Sequence, residues 1–86
     1  MGAPESNPLH LLTALDKNIV VAYAESNMNC RKTARVLNYS YNGIAYHLVS
    51  TRTKTGLDPY QFRDLAQLVS IIDAERRDFD KNLYTG

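Results

Sequence analysis

Three breaker clusters divide this chain into four short segments, and that division constrains the fold more than any other feature. The clusters are Ser26-Asn27-Met28-Asn29, Asn38-Tyr39-Ser40 and the stretch from Gly56 to Pro59. Each combines turn-forming with helix-capping residues. Asn29 is placed to cap a second helix and Ser40 a third. Asn38, the non-glycine residue best able to take a left-handed backbone, suits a tight turn between them. Gly56 follows the third helix as a C′ residue, and Asp58-Pro59 offers an N-cap with proline at the first helical position. The spacing predicts helices over about 9–26, 30–37, 41–55 and 59–78. No stretch reads as a strand and no repeat is present.

Each segment carries an apolar stripe at helical spacing. In the first, Leu9, Leu12, Leu15, Ile19 and Tyr23 recur, with Leu11, Val20 and Ala22 widening the face. The second offers Ala34, Val36 and Leu37, with Cys30 expected as a core thiol. Ile44, Leu48 and Thr51 form the inner side of the third, and Leu65, Leu68, Val69 and Ile72 that of the fourth. Residues 1–8, with two prolines, read as a flexible arm, and residues 79–86, with Phe79 and Tyr84, as a polar tail. The expectation is one all-α domain over 9–78, a small helix-turn-helix bundle of about four helices.

The bulk properties exclude several classes. At 86 residues, one core is only marginally stabilising, which makes a homodimer a natural expectation. No apolar run of about 18 residues is present, so nothing is expected to span a membrane. The first eight residues lack the basic and apolar regions of a secretory signal. A single cysteine, Cys30, forbids an intrachain disulfide and fits a cytoplasmic setting. His10, His47 and Cys30 show no metal-ligand spacing. With no phosphate-binding glycine loop and no nucleophile–base set, neither an enzyme, a cofactor nor a small-molecule substrate is expected.

The net charge of +1 conceals a segregation. Between Ser26 and Leu57 lie Arg31, Lys32, Arg35, Arg52 and Lys54, five of the ten basic residues, and none of the nine acids. That third therefore stands at +5 and the remainder at −4. Such a distribution gives one face a positive field. A polar stretch that is merely solvated is the ordinary alternative.

Within this basic segment lies the spacing Ala34-x2-Leu37-Asn38-Tyr39-x4-Ile44-x3-Leu48. Two helices crossing steeply over a short turn need a small residue at the crossing, here Ala34. Leu37 closes the second helix, Asn38 makes the turn and Tyr39 plugs it. Ile44 and Leu48 then bury the inner face of the third helix. This is the spacing of a DNA-binding helix-turn-helix, although any tri-helical bundle produces part of it.

Thr33-Ala34-Arg35-x-Leu37, then Asn42-x-Ile44-x-Tyr46-x-Leu48, then Thr55-Gly56-Leu57-Asp58 resembles the C-terminal helix-turn-helix domain of PucR-type (purine catabolism regulator-like) bacterial transcription regulators. The agreement runs without gaps from about residue 27 to 58, and more weakly over about 9–73. The resemblance implies DNA binding by the third helix, usually in dimeric regulators. The family typically reads His-Arg-Asn-Thr where this chain has Ser40-Tyr41-Asn42-Gly43, and carries arginines where Ala45 and His47 stand. The fold-defining positions match while several contact positions differ, which leaves the operator open.

With Ile44, Leu48 and Thr51 inward, Ser40, Tyr41, Asn42, Ala45, Tyr46 and Val49 face outward, toward base edges in a docked major groove. Asn42 can pair with adenine and Ala45 can meet a thymine methyl. A capping role for Asn42 and partial core packing for Tyr46 are the alternatives. Arg31, Lys32, Arg35, His47, Arg52 and Lys54 are the expected phosphate contacts. The expected function is sequence-specific double-stranded DNA binding as a transcription regulator or its module. The alternative is a protein-interaction or dimerisation module that keeps the fold with little DNA affinity. Gly43 costs up to about 1 kcal/mol of helix stability relative to Ala, and either admits a close approach or is simply tolerated.

Overall fold

A computed structural model describes residues 8–85 in backbone and residues 9–78 in side chain. Of the expected arm over residues 1–8, residues 1–7 lie outside the described residues, as do the side chains of Phe79 and Tyr84, while Pro8 opens a 3-10 helix. The architecture is all-α, with no strand among the described residues. A short 3-10 helix, Pro8–Leu11, precedes α1 (Ala14–Glu25), α2 (Cys30–Leu37), α3 (Tyr41–Thr55) and α4 (Phe62–Thr85). α1 is the central post, packing against α2, α3 and α4, while α2 and α3 pack on each other.

The two middle helices occupy the expected spans because their caps are local. The Asn29 side chain accepts from the Lys32 amide, and that of Ser40 from the Gly43 amide. Asn38 takes a left-handed conformation at φ 54°, ψ 50°. The Tyr39 amide donates to the Ala34 carbonyl at 2.8 Å and the Asn38 amide to that of Arg35 at 3.2 Å, the paired bonds of a Schellman ending. The turn after α1 repeats the pattern, with Met28 donating to Tyr23 and Asn27 to Ala24. Asn27 and Met28 both have positive φ. Gly56 ends α3 at φ 79°.

The outer helices differ from expectation at their ends. α1 begins at Ala14, not residue 9, because Thr13 and Asp16 form a reciprocal capping box. The Thr13 hydroxyl accepts from the Asp16 amide, and the Asp16 carboxylate accepts from the Thr13 amide, both at 3.0 Å. That cap breaks the presumed stripe. Leu9 and Leu12 are buried from the preceding turn, whereas Leu11 and Leu15 are exposed. At the other end, Asp58 and Pro59 do not start a helix. The Asp58 carboxylate accepts from the Tyr60 amide two residues on, while its own amide donates to Asp64 inside α4. The helix therefore starts at Phe62 and, meeting no Gly or Pro, continues through Thr85 across the expected tail.

The core forms where α1 meets its neighbours. Leu9, Ile19, Val20, Ile44, Leu48, Leu68 and Ile72 have no access to solvent. Cys30 and Val69 pack against this cluster but are only partly buried. Thr51 is also sealed in, its hydroxyl donating to the His47 carbonyl one turn back. α4 runs antiparallel along α1, with Lys17 bridging to Glu75 at 2.9 Å and Arg76 donating to Asn18 at 2.8 Å. Truncating Ile44 or Leu48 to Ala should cost about 2–5 kcal/mol, readable as a lowered midpoint in urea unfolding. The same change at exposed Leu11 should cost far less.

Candidate nucleic-acid interface

α3 is positioned from beneath by Ile44, Leu48 and Thr51, all at 0% exposure. This inward set leaves Tyr41, Asn42, Tyr46 and Val49 exposed, with Tyr46 at 68%. Ala45 is half-buried between the two faces. Ser40 is exposed, but its oxygen already accepts the Gly43 amide, which leaves its O–H to donate and one lone pair to accept. The outward face of α3 thus presents the six expected base-contact positions, with Ala45 recessed and Ser40 partly committed.

The six expected phosphate contacts separate into two groups. Arg31, Lys32, Arg35 and Arg52 are exposed and form no ion pair among the described residues. The Arg31 guanidinium lies 5.6 Å from the centre of the Tyr41 ring, close enough for a cation–π contact. This contact ties the start of α2 to the start of α3. Lys54 and His47 belong to the second group. Both reach one buried carboxylate, Asp16, although a third of the Lys54 side chain stays exposed.

Asp16 projects from the first turn of α1 and is 1% exposed. Its Oδ1 lies 2.7 Å from His47 Nδ1, and its Oδ2 lies 2.8 Å from Lys54 Nζ and 3.0 Å from the Thr13 amide. Burial pushes the carboxyl pKa up, but the hydrogen bonds from Lys54, His47 and Thr13 outweigh it and hold Asp16 at about 2. An ionised carboxylate accepts only, so His47 carries its proton on Nδ1. In the neutral imidazole, Nε2 is then free to accept the Tyr39 hydroxyl, which sits at a long 3.4 Å. The His47 ring is also edge-on to Tyr46, with centroids 5.3 Å apart. The scaffold therefore brings an Asp–His pair together and uses it to hold α3 against α1.

Tyr39 was expected to plug the turn but remains 41% exposed. Its ring lies over the first turn of α3, and a Cβ on Gly43 would come within 2.9 Å of Tyr39 Cδ2 and 2.8 Å of Ser40 Oγ. Gly43 thus admits a close approach by the protein's own aromatic ring. Sequence reasoning missed Asp16 as a site residue. Its only local trace is the Thr13-x-x-Asp16 capping signature, which marks a helix start but not a contact 31 or 38 residues away. Among the described residues, no group of three or more His, Cys, Asp or Glu side chains is arranged to hold a metal ion. No helix there is long and apolar enough to cross a membrane.

Asp16 makes stability depend on pH in a definite direction. In the fold it stays charged down to about pH 2, while in the unfolded chain it takes up a proton near its ordinary 3.8. Its contribution of about 2 kcal/mol is therefore complete well above pH 4, declines as pH falls and is lost below about 2. Urea unfolding of the wild type and Asp16→Asn should show that difference at neutral pH and its disappearance across this acid window. Comparison with protein-family models, with curated proteins and with solved structures finds no match to this chain, so the chemistry of α2 and α3 alone bears on what it does.

Proposed function

We propose that this chain binds double-stranded DNA, with α3 in the major groove and α2 lying over the sugar–phosphate backbone. The observation that carries this reading is the set of four exposed cations on α2 and α3, Arg31, Lys32, Arg35 and Arg52, none ion-paired among the described residues. Cations without carboxylate partners are available to displace counterions from phosphates, which provides affinity without sequence discrimination. Discrimination falls to Asn42, whose amide can pair bidentately with adenine, and to Tyr41, Tyr46, Ala45 and Val49, which offer hydroxyl and apolar contacts to base edges. His47 and Lys54 act indirectly, fixing how α3 is rotated against α1. The role this implies is that of a transcription regulator, or the DNA-binding module of one, acting as a homodimer in a bacterial cytoplasm, in keeping with the resemblance to PucR-type domains.

A second reading is favoured by the apolar character of the same surface. Val36 is 62% exposed and Val49 45%, and neither is needed for phosphate contact. A helix-turn-helix kept as a protein-docking module would present such groups. Binding of a mixed-sequence duplex, followed by fluorescence anisotropy as salt is raised, separates the two. DNA binding predicts a steep loss of affinity between about 50 and 200 mM salt. Replacing Arg31, Lys32 and Arg35 together by Ala should lower the log–log salt slope by about 0.9 for each phosphate contact removed, with helix content unchanged. No binding at tens of micromolar protein in low salt sinks the DNA reading.

A further inference from the structure

A groove of about 620 Å³ runs between the C-terminal end of α1 and the outer side of α4. Met28 stands on one wall, and Phe62, Ala66, Val69, Asp73 and Arg77 line the other. None of its lining residues comes from α2 or α3, so it is separate from the face proposed for DNA. Phe62 is 73% exposed, the most exposed large hydrophobic side chain among the described residues. An aromatic ring held in water beside an apolar groove is an unfavourable surface for a chain that works alone.

We propose that this groove is the contact between two copies of the chain, with Phe62 of each copy seated in the groove of the other. The inference deepens the homodimer named above and rests on that part of the reading. Its basis is self-complementarity, which a two-fold contact requires because the same patch must serve both partners. The patch holds an exposed ring and a hollow in whose lining the small Ala66 leaves room. Phe62, Ala66, Val69, Asp73 and Arg77 follow one another at steps of four, three, four and four, which places them along one face of α4. A two-fold axis near Val69 and Ser70 runs the two α4 helices antiparallel. Each Phe62 then meets the Arg77 end of its partner's groove, where a guanidinium can cover the ring face. The two ends of the stripe complement each other, and antiparallel pairing satisfies both ends twice.

Sedimentation equilibrium of the full chain without DNA, from low to high micromolar, tests the inference. The wild type should be dimeric at the upper end. Phe62→Glu should raise the dimer dissociation constant at least about tenfold, as expected for an aromatic anchor in a pocket. Circular dichroism should be unchanged, since the fold does not bury this side chain. Arg77→Glu, at an exposed position, gives a second variant whose folding is not in question, and it should weaken the dimer in the same direction. A wild-type dimer unaffected by both variants overturns the groove while leaving the homodimer standing. A wild type that stays monomeric at high micromolar overturns both, whatever its affinity for DNA. The groove would then belong to a different partner.

Discussion

Taking a carboxylate out of water is costly unless charge and hydrogen bonds replace the lost hydration. Asp16 meets that condition with three donors, the neighbouring Thr13 amide and two from the distant α3, His47 and Lys54. Much of the architecture depends on this arrangement. The bond to Thr13 stops α1 at Ala14 and leaves Pro8–Leu11 as a separate turn that packs toward α3. His47 and Lys54 are seven residues apart, two turns along the same side of α3. Anchoring both to one carboxylate sets the rotation of that helix, and with it the identity of the residues that face outward. It also turns the Lys54 ammonium and the His47 ring onto Asp16, so the positive face is made by α2 together with Arg52.

The parts of the fold legible in the sequence are those governed by neighbours in the chain. Asn29, Asn38, Ser40 and Gly56 act within two to five residues of themselves, so α2 and α3 could be bounded from turn chemistry alone. The inward set Ile44, Leu48 and Thr51 was equally legible, because helical periodicity states which side is apolar and only one side can be buried. The ends of α1 and α4 were misread for a shared reason. Leu9, Leu11, Leu12 and Leu15 imitate a continuous stripe and hid the cap at Thr13. Asp58-Pro59 imitates a helix start but closes a turn of its own before α4 begins. What the sequence could not disclose is pairing across 31 and 38 residues, since nothing near Asp16 distinguishes it from a solvated first-turn acid.

The start of α3 shows how a residue that weakens a helix can still belong there. Glycine lowers helix propensity at Gly43, yet any larger side chain would meet the Tyr39 ring and the Ser40 hydroxyl. The ring in turn leans toward His47, with centroids 6.0 Å apart. Asn38 makes this approach geometrically available, because its left-handed conformation reverses the chain just before Tyr39. The first turn of α3 is therefore shaped by a small aromatic cluster lying on it, in addition to the core beneath it.

One consequence follows from the order of residues at the start of α1. Asp16 reaches across to α3, while Lys17 and Asn18 reach the other way, to Glu75 and Arg76 of α4. The attachments of α1 to α3, which carries part of the cationic face, and to α4, which carries the groove, thus start from adjacent residues on either side of one peptide bond. A twist of α1 by the angle of one residue would strain the attachments on both sides together. The opening turn of α1 is the axle on which the two faces are mounted, and neither can be tilted without loading the other.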